Sequence, residues 1–239
     1  MSRALQALFF LLIVRPFLAL VLGVNLRHAD RLPQTGPAIL AANHNSHLDT
    51  LLLMSLYPMA KLHRVRPVAA ADYFLKNRVI AWFALTIMHI LPLSRRPRKA
   101  STPQPSPEKG GHPEGHKGAN EMPKPANEKP LAHIEAALAA GDILILFPEG
   151  SRGEPERRSA LKSGIAHLMA DAPTVPVVPI YLRGLGKALP KGEWLPVPFF
   201  ADGWVGEPLS WQGDRAATMR LLEARFAELE QEGKAPAWE

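Results

Sequence analysis

Residues 37–57 read PAILAANHNSHLDTLLLMSLY. The opening PAILAA (37–42) is apolar throughout and too short for a helix, so it reads as a strand buried on both faces. The seven residues NHNSHLD (43–49) that follow place two imidazoles, a hydroxyl and a carboxylate together. TLLLMSLY (50–57) then has the length and composition of a covered helix. Strand, polar turn and helix in immediate succession form the repeating unit of an α/β fold.

Strand-length apolar runs recur at RPVAAA (66–71), HILPLS (89–94), DILILF (142–147), VPVVPIYLR (175–183) and PVPFFADGWVG (196–206). Helical stretches VIAWFALTIM, LAHIEAALAA and ALKSGIAHLMA alternate with them, which predicts an α/β sheet with both faces covered. Residues 214–232 predict a last amphipathic helix with Leu222, Phe226 and Leu229 along one stripe. Residues 97–129 interrupt the pattern. They contain no Leu, Ile, Val or aromatic residue and are rich in Pro, Gly and Lys, a composition expected of a disordered insertion.

The 239 residues are 47% hydrophobic, enough for one substantial core, and Lys plus Arg outnumber Asp plus Glu by 28 to 22. This balance favours an anionic partner. The absence of cysteine excludes disulfides, thiolate nucleophiles and Cys-based zinc sites. From Ala4 to Val24 the chain is apolar apart from Gln6 and Arg15. A bilayer span needs roughly 20 apolar residues, and a central Arg costs about 2.5–3.5 kcal/mol on insertion scales. Arg15-Pro16 therefore predicts two short helices lying at a membrane surface, not one span. A signal peptide, with Arg3 alone as its basic N-terminal end, and a buried core helix are the alternatives. The expected organisation is an apolar membrane-associating segment over 1–28 and one domain over 29–239, interrupted at 97–129.

Within NHNSHLD, His44 and Asp49 would diverge by about 140° on a continuous helix. Ser46 is an N-cap candidate, with Asp49 three residues later and a helix behind it, as in a capping box. His44 then lies in the turn before the cap, where its ring can fold back onto the Asp49 carboxylate. Such a contact leaves the other ring nitrogen to take a proton from a hydroxyl. Two other readings stand beside this one: a helix cap with incidental histidines, and a metal site from His44, His47 and Asp49. Histidines 63, 89, 133 and 167 supply no recognisable ligand spacing.

NHNSHLD resembles the histidine-x4-aspartate motif of the glycerolipid acyltransferase family that includes 1-acylglycerol-3-phosphate acyltransferases. FPEGSR (147–152) with LKSG (161–164) resembles the family's third block, and VPVVPI (175–180) the fourth. HILPLSRR resembles the second, with Arg95 at the arginine position, Pro92 in the segment where a glycine is usual, and Arg96 adjacent. The resemblance implies a glycerol-3-phosphate acyltransferase-like fold with a mixed, mostly parallel β-sheet covered by helices. It implies transfer of an acyl group from acyl-CoA or acyl-acyl carrier protein to lysophosphatidic acid, or to another lysophospholipid or lyso-aminolipid. His44 and Asp49 would be catalytic, and Arg95, Glu149, Gly150, Ser151 and Arg152 would bind substrate, with Glu149 touching a glycerol group. No metal or cofactor and no nucleic acid would be needed; the expected partners are the lysophospholipid, the acyl thioester, the membrane surface and acyl carrier protein. The expected location is the cytoplasmic face of the inner (plasma) membrane. A metal-dependent lipid hydrolase and a non-catalytic lipid-binding protein are the competing functions.

Overall fold

A computed structural model describes residues 2–71, 77–93, 131–190, 192–193 and 195–234. Arg95 and the expected insertion at 97–129 lie outside the described residues. The strands are β1 (Leu22–Arg27), β2 (Ala38–Ala42), β3 (Val65–Ala70), β4 (Leu91–Leu93), β5 (Ile143–Leu146), β6 (Val177–Arg183) and β7 (Phe199–Val205). They form one sheet in the order β1-β7-β6-β2-β5-β3-β4. From β6 to β4 all neighbours are parallel; β7 runs antiparallel to β6, and β1 parallel to β7. This is the mixed, mostly parallel sheet expected.

Strand β2 sits in the middle and every residue of it is buried. Its side chains alternate between two cores. Ala38, Leu40 and Ala42 pack with Phe10, Val14, Leu52 and Leu53, while Ile39 and Ala41 pack with Ile134, Ile165, Leu222 and Phe226 on the other face. Helices therefore cover both sides, which is why the strand reads as an unbroken apolar run. The described helices are α1 (Ser2–Val21), α2 (Leu48–Ser55), α3 (Arg78–Thr86), α4 (Ala132–Ala139), α5 (Gly164–Asp171), the short α6 (Leu185–Ala188) and α7 (Arg215–Lys234). Helix α7 buries the expected stripe Leu222, Phe226 and Leu229, and Asp214 caps it by accepting the Ala217 N–H at 2.8 Å. Helix α5 starts at Gly164, later than its apolar pattern suggests, because Lys162 N–H is drawn to Pro148 O at 2.8 Å.

The N-terminus departs from expectation twice. Instead of two short helices meeting at Arg15-Pro16, one 20-residue helix runs through. A π turn over Phe10–Val14, with Arg15 N–H bonded to Phe10 O, widens the helix immediately before Pro16 and accommodates the missing proline donor. Residues Gln6, Phe10, Val14 and Leu18, four apart, form the buried stripe that lays α1 along the domain. Full burial of a side chain such as Phe10 stabilises this docking by about 1.5–3 kcal/mol. Arg15 donates to Ser55 O at 3.3 Å and Tyr57 O at 2.8 Å, satisfying carbonyls at the C-terminal end of α2. The second departure is β1, which occupies the last part of the segment expected to lie at the membrane. Leu22 to Arg27 pair with Phe199 to Trp204, so the sheet begins at 22 and not after 28.

Asn43 fastens the C-terminal end of β2 to β6. Its Nδ2 donates to Leu182 O at 2.8 Å and its Oδ1 accepts Leu182 N–H at 2.6 Å, imitating one more rung of the sheet. Asn43→Ala leaves both buried backbone groups without that partner, and it is expected to lower unfolding free energy by about 2 kcal/mol. A chemical denaturation midpoint indistinguishable from wild type would contradict this role.

Candidate active site

The C-terminal ends of β2, β5 and β6 lie side by side because the three strands are parallel, and the loops leaving them build the site. The β2 loop holds the first cluster. Helix α2 becomes regular at Leu48, after His47 has entered helical backbone, and Ser46 Oγ caps it by accepting the Leu48 N–H at 3.3 Å. The Ser46 hydroxyl also donates to Leu189 O at 2.9 Å, tying the cap to the segment after α6. Asp49 supplies the reverse half of the capping box by accepting the Ser46 N–H at 2.8 Å.

The same Asp49 oxygen, Oδ2, accepts the Asn45 N–H at 2.6 Å and pairs with His44 Nδ1 at 2.9 Å. Asp49 is completely buried, whereas the His44 side chain keeps 17% of its surface. Burial pushes the Asp49 carboxyl above the ordinary carboxylate range; the His44 ring and the Ser46 and Asn45 N–H groups pull it back. With Nδ1–H donated to the carboxylate, Nε2 of a neutral His44 carries the lone pair. Phe147 fixes the ring plane, stacking on the imidazole with centroids 4.0 Å apart and planes 15° apart.

The β5 loop carries FPEGSR. Glu149 is 3% exposed, and both its oxygens accept from backbone: Oε1 from His44 N–H and Oε2 from Ser159 N–H, each at 3.1 Å. Burial raises its pKa, and those two N–H groups oppose the rise. In this arrangement the side chain positions the His44 backbone and the far side of its own loop. Gly150 has φ +74°, in the left-handed region that favours glycine, and a methyl there would strike the Lys162 side chain. The Lys162 side chain packs closely over Gly150. Ser151 is exposed at the end of the turn. Gly153 N–H returns to His44 O at 3.3 Å, closing the loop onto the dyad.

Beyond this turn Arg152, Arg157, Arg158 and Ser159 line an open cleft of about 780 Å³. Arg158 is held by Glu223 at 2.7 Å and Glu230 at 3.6 Å, and Arg157 pairs with Glu154 at 2.9 Å. Arg152 stands near His47. Partial burial of the ring, then Arg152 and then His44, lower the His47 pKa to about 4, so His47 is neutral at pH 7 although the residue is exposed. Among the described residues no group of three His, Asp or Glu side chains is arranged to hold a metal. Asp49 Oδ2 already accepts three donors.

The structure therefore brings together His44, Asp49, Glu149, Gly150 and Arg152. Sequence reasoning missed Asn43, Asn45, Phe147 and Ser159. Asn45 Nδ2 donates to Leu182 O at 2.9 Å, so the two asparagines flanking His44 both anchor to β6. The backbone N–H groups of the turn are occupied and do not point at a developing oxyanion: His44 N–H is bound by Glu149, and Asn45 and Ser46 N–H by Asp49. The N–H groups of β6 face β2 and β7 within the sheet.

A three-layer α/β protein with a His-Asp dyad at the carboxyl ends of parallel strands, beside an arginine-lined cleft, is the class these features define. A family model described as Acyltransferase matches residues 23–183, and the chain belongs to that family. The chloroplastic 1-acyl-sn-glycerol-3-phosphate acyltransferase LPAT1 of Arabidopsis thaliana is 28% identical over 171 residues, 71% of this chain and 38% of its own length. The chloroplastic 1-acyl-sn-glycerol-3-phosphate acyltransferase BAT2 of Brassica napus is 28% identical over 170 residues, 71% of this chain and 40% of its own. The chain thus spans about two fifths of these curated relatives. The crystal structure of the 1-acyl-sn-glycerophosphate (LPA) acyltransferase PlsC from Thermotoga maritima superposes with a TM-score of 0.69, covering 99% of this chain and 81% of that one. At 19% identity this match establishes the shared fold.

Glu149→Gln replaces one acceptor oxygen by an amide donor facing a backbone N–H. It is expected to cost about 1–3 kcal/mol of stability and to lower activity through displacement of His44; unchanged thermal unfolding would refute the positioning role. Arg152→Gln removes a positive neighbour that disfavours the His47 imidazolium. The His47 pKa should therefore rise from about 4 toward the ordinary 6.5, read by NMR titration of the ring protons.

Proposed function

We propose that the protein transfers a fatty acyl group from a thioester donor, acyl-CoA or acyl-acyl carrier protein, to the free hydroxyl of lysophosphatidic acid. The observation that carries this reading is the 2.9 Å pairing of His44 Nδ1 with the buried Asp49, beside a cleft lined by Arg152. His44 Nε2 takes the proton from the acceptor hydroxyl as its oxygen attacks the thioester carbonyl carbon. The tetrahedral intermediate then collapses with cleavage of the C–S bond, and the imidazolium returns the proton to the leaving thiolate. Asp49 holds the ring in the required tautomer and favours the imidazolium as it forms.

Arg152 offers paired donors to the phosphate of the acceptor, with Lys162 nearby over Gly150. The names of the curated relatives support lysophosphatidate as acceptor. We further propose that the protein works at the cytoplasmic face of the inner (plasma) membrane. Support comes from the outer face of α1, where Leu5, Leu8, Leu12, Ile13 and Leu20 are exposed opposite the docked stripe. The mechanism draws on no metal or cofactor, and acyl carrier protein enters as one of the two alternative donors.

The test is a panel of lysophosphatidate, lysophosphatidylethanolamine and other lysolipids supplied with acyl-CoA or acyl-acyl carrier protein to the purified full chain. Lysophosphatidate should be acylated fastest, and His44→Ala should slow that reaction by at least about 10². An undiminished rate in the variant would remove the dyad mechanism, while turnover of another lysolipid alone would reassign the acceptor.

A further inference from the structure

A second cleft, of about 240 Å³, is lined by Arg3, His63, Arg64, Arg66, His89 and Asp142. It lies at the N-terminal ends of the parallel strands, opposite the ends that carry the dyad. Asp142 immediately precedes β5, whereas Phe147, which stacks on His44, immediately follows it. Five residues of extended chain put the two places roughly 16 Å apart.

The cleft is built from four segments of chain. Asp142, with 9% of its side chain exposed, holds Arg64 Nη1 at 3.2 Å with one oxygen and Arg66 Nη1 at 3.5 Å with the other. Arg64 also donates to Ala140 O at 2.6 Å and Arg66 Nε to His89 O at 3.2 Å, which fixes both guanidiniums. His89 takes left-handed backbone, φ +51°, at the turn into β4. Arg3 arrives from the first turn of α1, and among the described residues it has no ion-pair partner. Two guanidiniums thus meet on one carboxylate, and the Arg3 side chain lines the same cleft. Burial and the neighbouring arginines lower the pKa of both His63 and His89, so these rings are neutral hydrogen-bonding groups at pH 7.

Several cationic donors arriving from different directions match an anion with three or four outward oxygens better than a planar carboxylate. Helices α1 and α3 lead to the cleft through Arg3 and His89, and both carry exposed apolar residues. Leu5 and Leu8 of α1 and Val79, Ile80, Trp82 and Leu85 of α3 are exposed, and the two helices meet where Phe9 packs edge-on against Phe83 at 5.3 Å.

We infer that the cleft lined by Arg3, Arg64 and Arg66 is a second anion site, separate from the dyad, that takes a phosphate group such as the headgroup of an anionic phospholipid. It recognises lipid or phosphate without reacting with it, and its occupancy is read without turnover. The full chain is titrated with inorganic phosphate and, separately, with soluble short-chain phosphatidylglycerol while the imidazole NMR signals of His63, His89 and His167 are followed. The His63 and His89 signals should move saturably and His167 should stay still. Arg3→Ala, on an exposed first turn, should weaken the response about tenfold, and Arg152→Gln should leave it intact. Tighter binding of the lipid than of phosphate identifies a headgroup as the source; equal binding identifies the free ion, and either result supports the site. Unmoved His63 and His89 signals, or identical titrations in wild type and Arg3→Ala, overturn it.

Discussion

A single carboxylate oxygen organises the turn between β2 and α2. Asp49 Oδ2 gathers His44 Nδ1 and the N–H groups of Asn45 and Ser46, so three consecutive residues bend around one buried atom. A strand cannot continue through such a bend, and a helix cannot begin before it. Burying an ion without compensation costs several kcal/mol, and hydrogen bonds to a charged group return about 1.5–3 kcal/mol each. Three donors on one oxygen are therefore of the size needed to hold the carboxylate, and the helix N-terminus adds to them. The orientation of the His44 ring follows from this arrangement.

Two further acids repeat the device in the neighbouring loops. Glu149 joins the His44 and Ser159 N–H groups. Glu156, itself at φ +60°, accepts the Gly184 N–H at 2.7 Å and the Gly186 N–H at 3.1 Å where β6 passes into α6. The loops after β2, β5 and β6 are thus shaped by acids turned inward onto backbone donors. Arg152, Arg157 and Lys162 are left at the surface of the same loops, on the side where an anionic substrate would approach. Interior acids and exterior bases divide the work: the first fix the backbone, and the second set the charge met from outside.

What could be read in the sequence was local. The two-sided burial of β2 and β5 shows as unbroken apolar runs, and the five-residue spacing of His44 and Asp49 together with a helix cap implies that they meet. The partners missed are distant in the chain. Nothing near Asn43 or Asn45 announces that both amides bond Leu182, more than 130 positions away. Phe147 is indistinguishable by composition from the last residue of a strand. The resemblance implies a substrate contact for Glu149, whereas its bonds to the His44 and Ser159 N–H groups are not legible locally. Its burial and its two backbone partners depend on the folding of residues 153–159 back over it, which no local pattern encodes. Strand β1 escaped for the opposite reason: its leading residues prolong an apolar stretch, and only pairing with β7 separates strand from helix.

The N-terminal helix shows how a sequence poorly suited to one environment can suit another. In a spanning helix Arg15 would be a buried cation and Pro16 a break. In the docked helix Arg15 becomes the cap for Ser55 and Tyr57 at the end of α2. Pro16 is absorbed by the π turn before it. The stripe Gln6, Phe10, Val14 and Leu18 faces the core, so the apolar residues on the other face have no protein to cover them among the described residues. The same Arg-Pro pair that argues against a span thus fastens α1 lengthwise to the helix that starts at the dyad. Any surface on which α1 rests is thereby held in a fixed relation to the turn that carries His44.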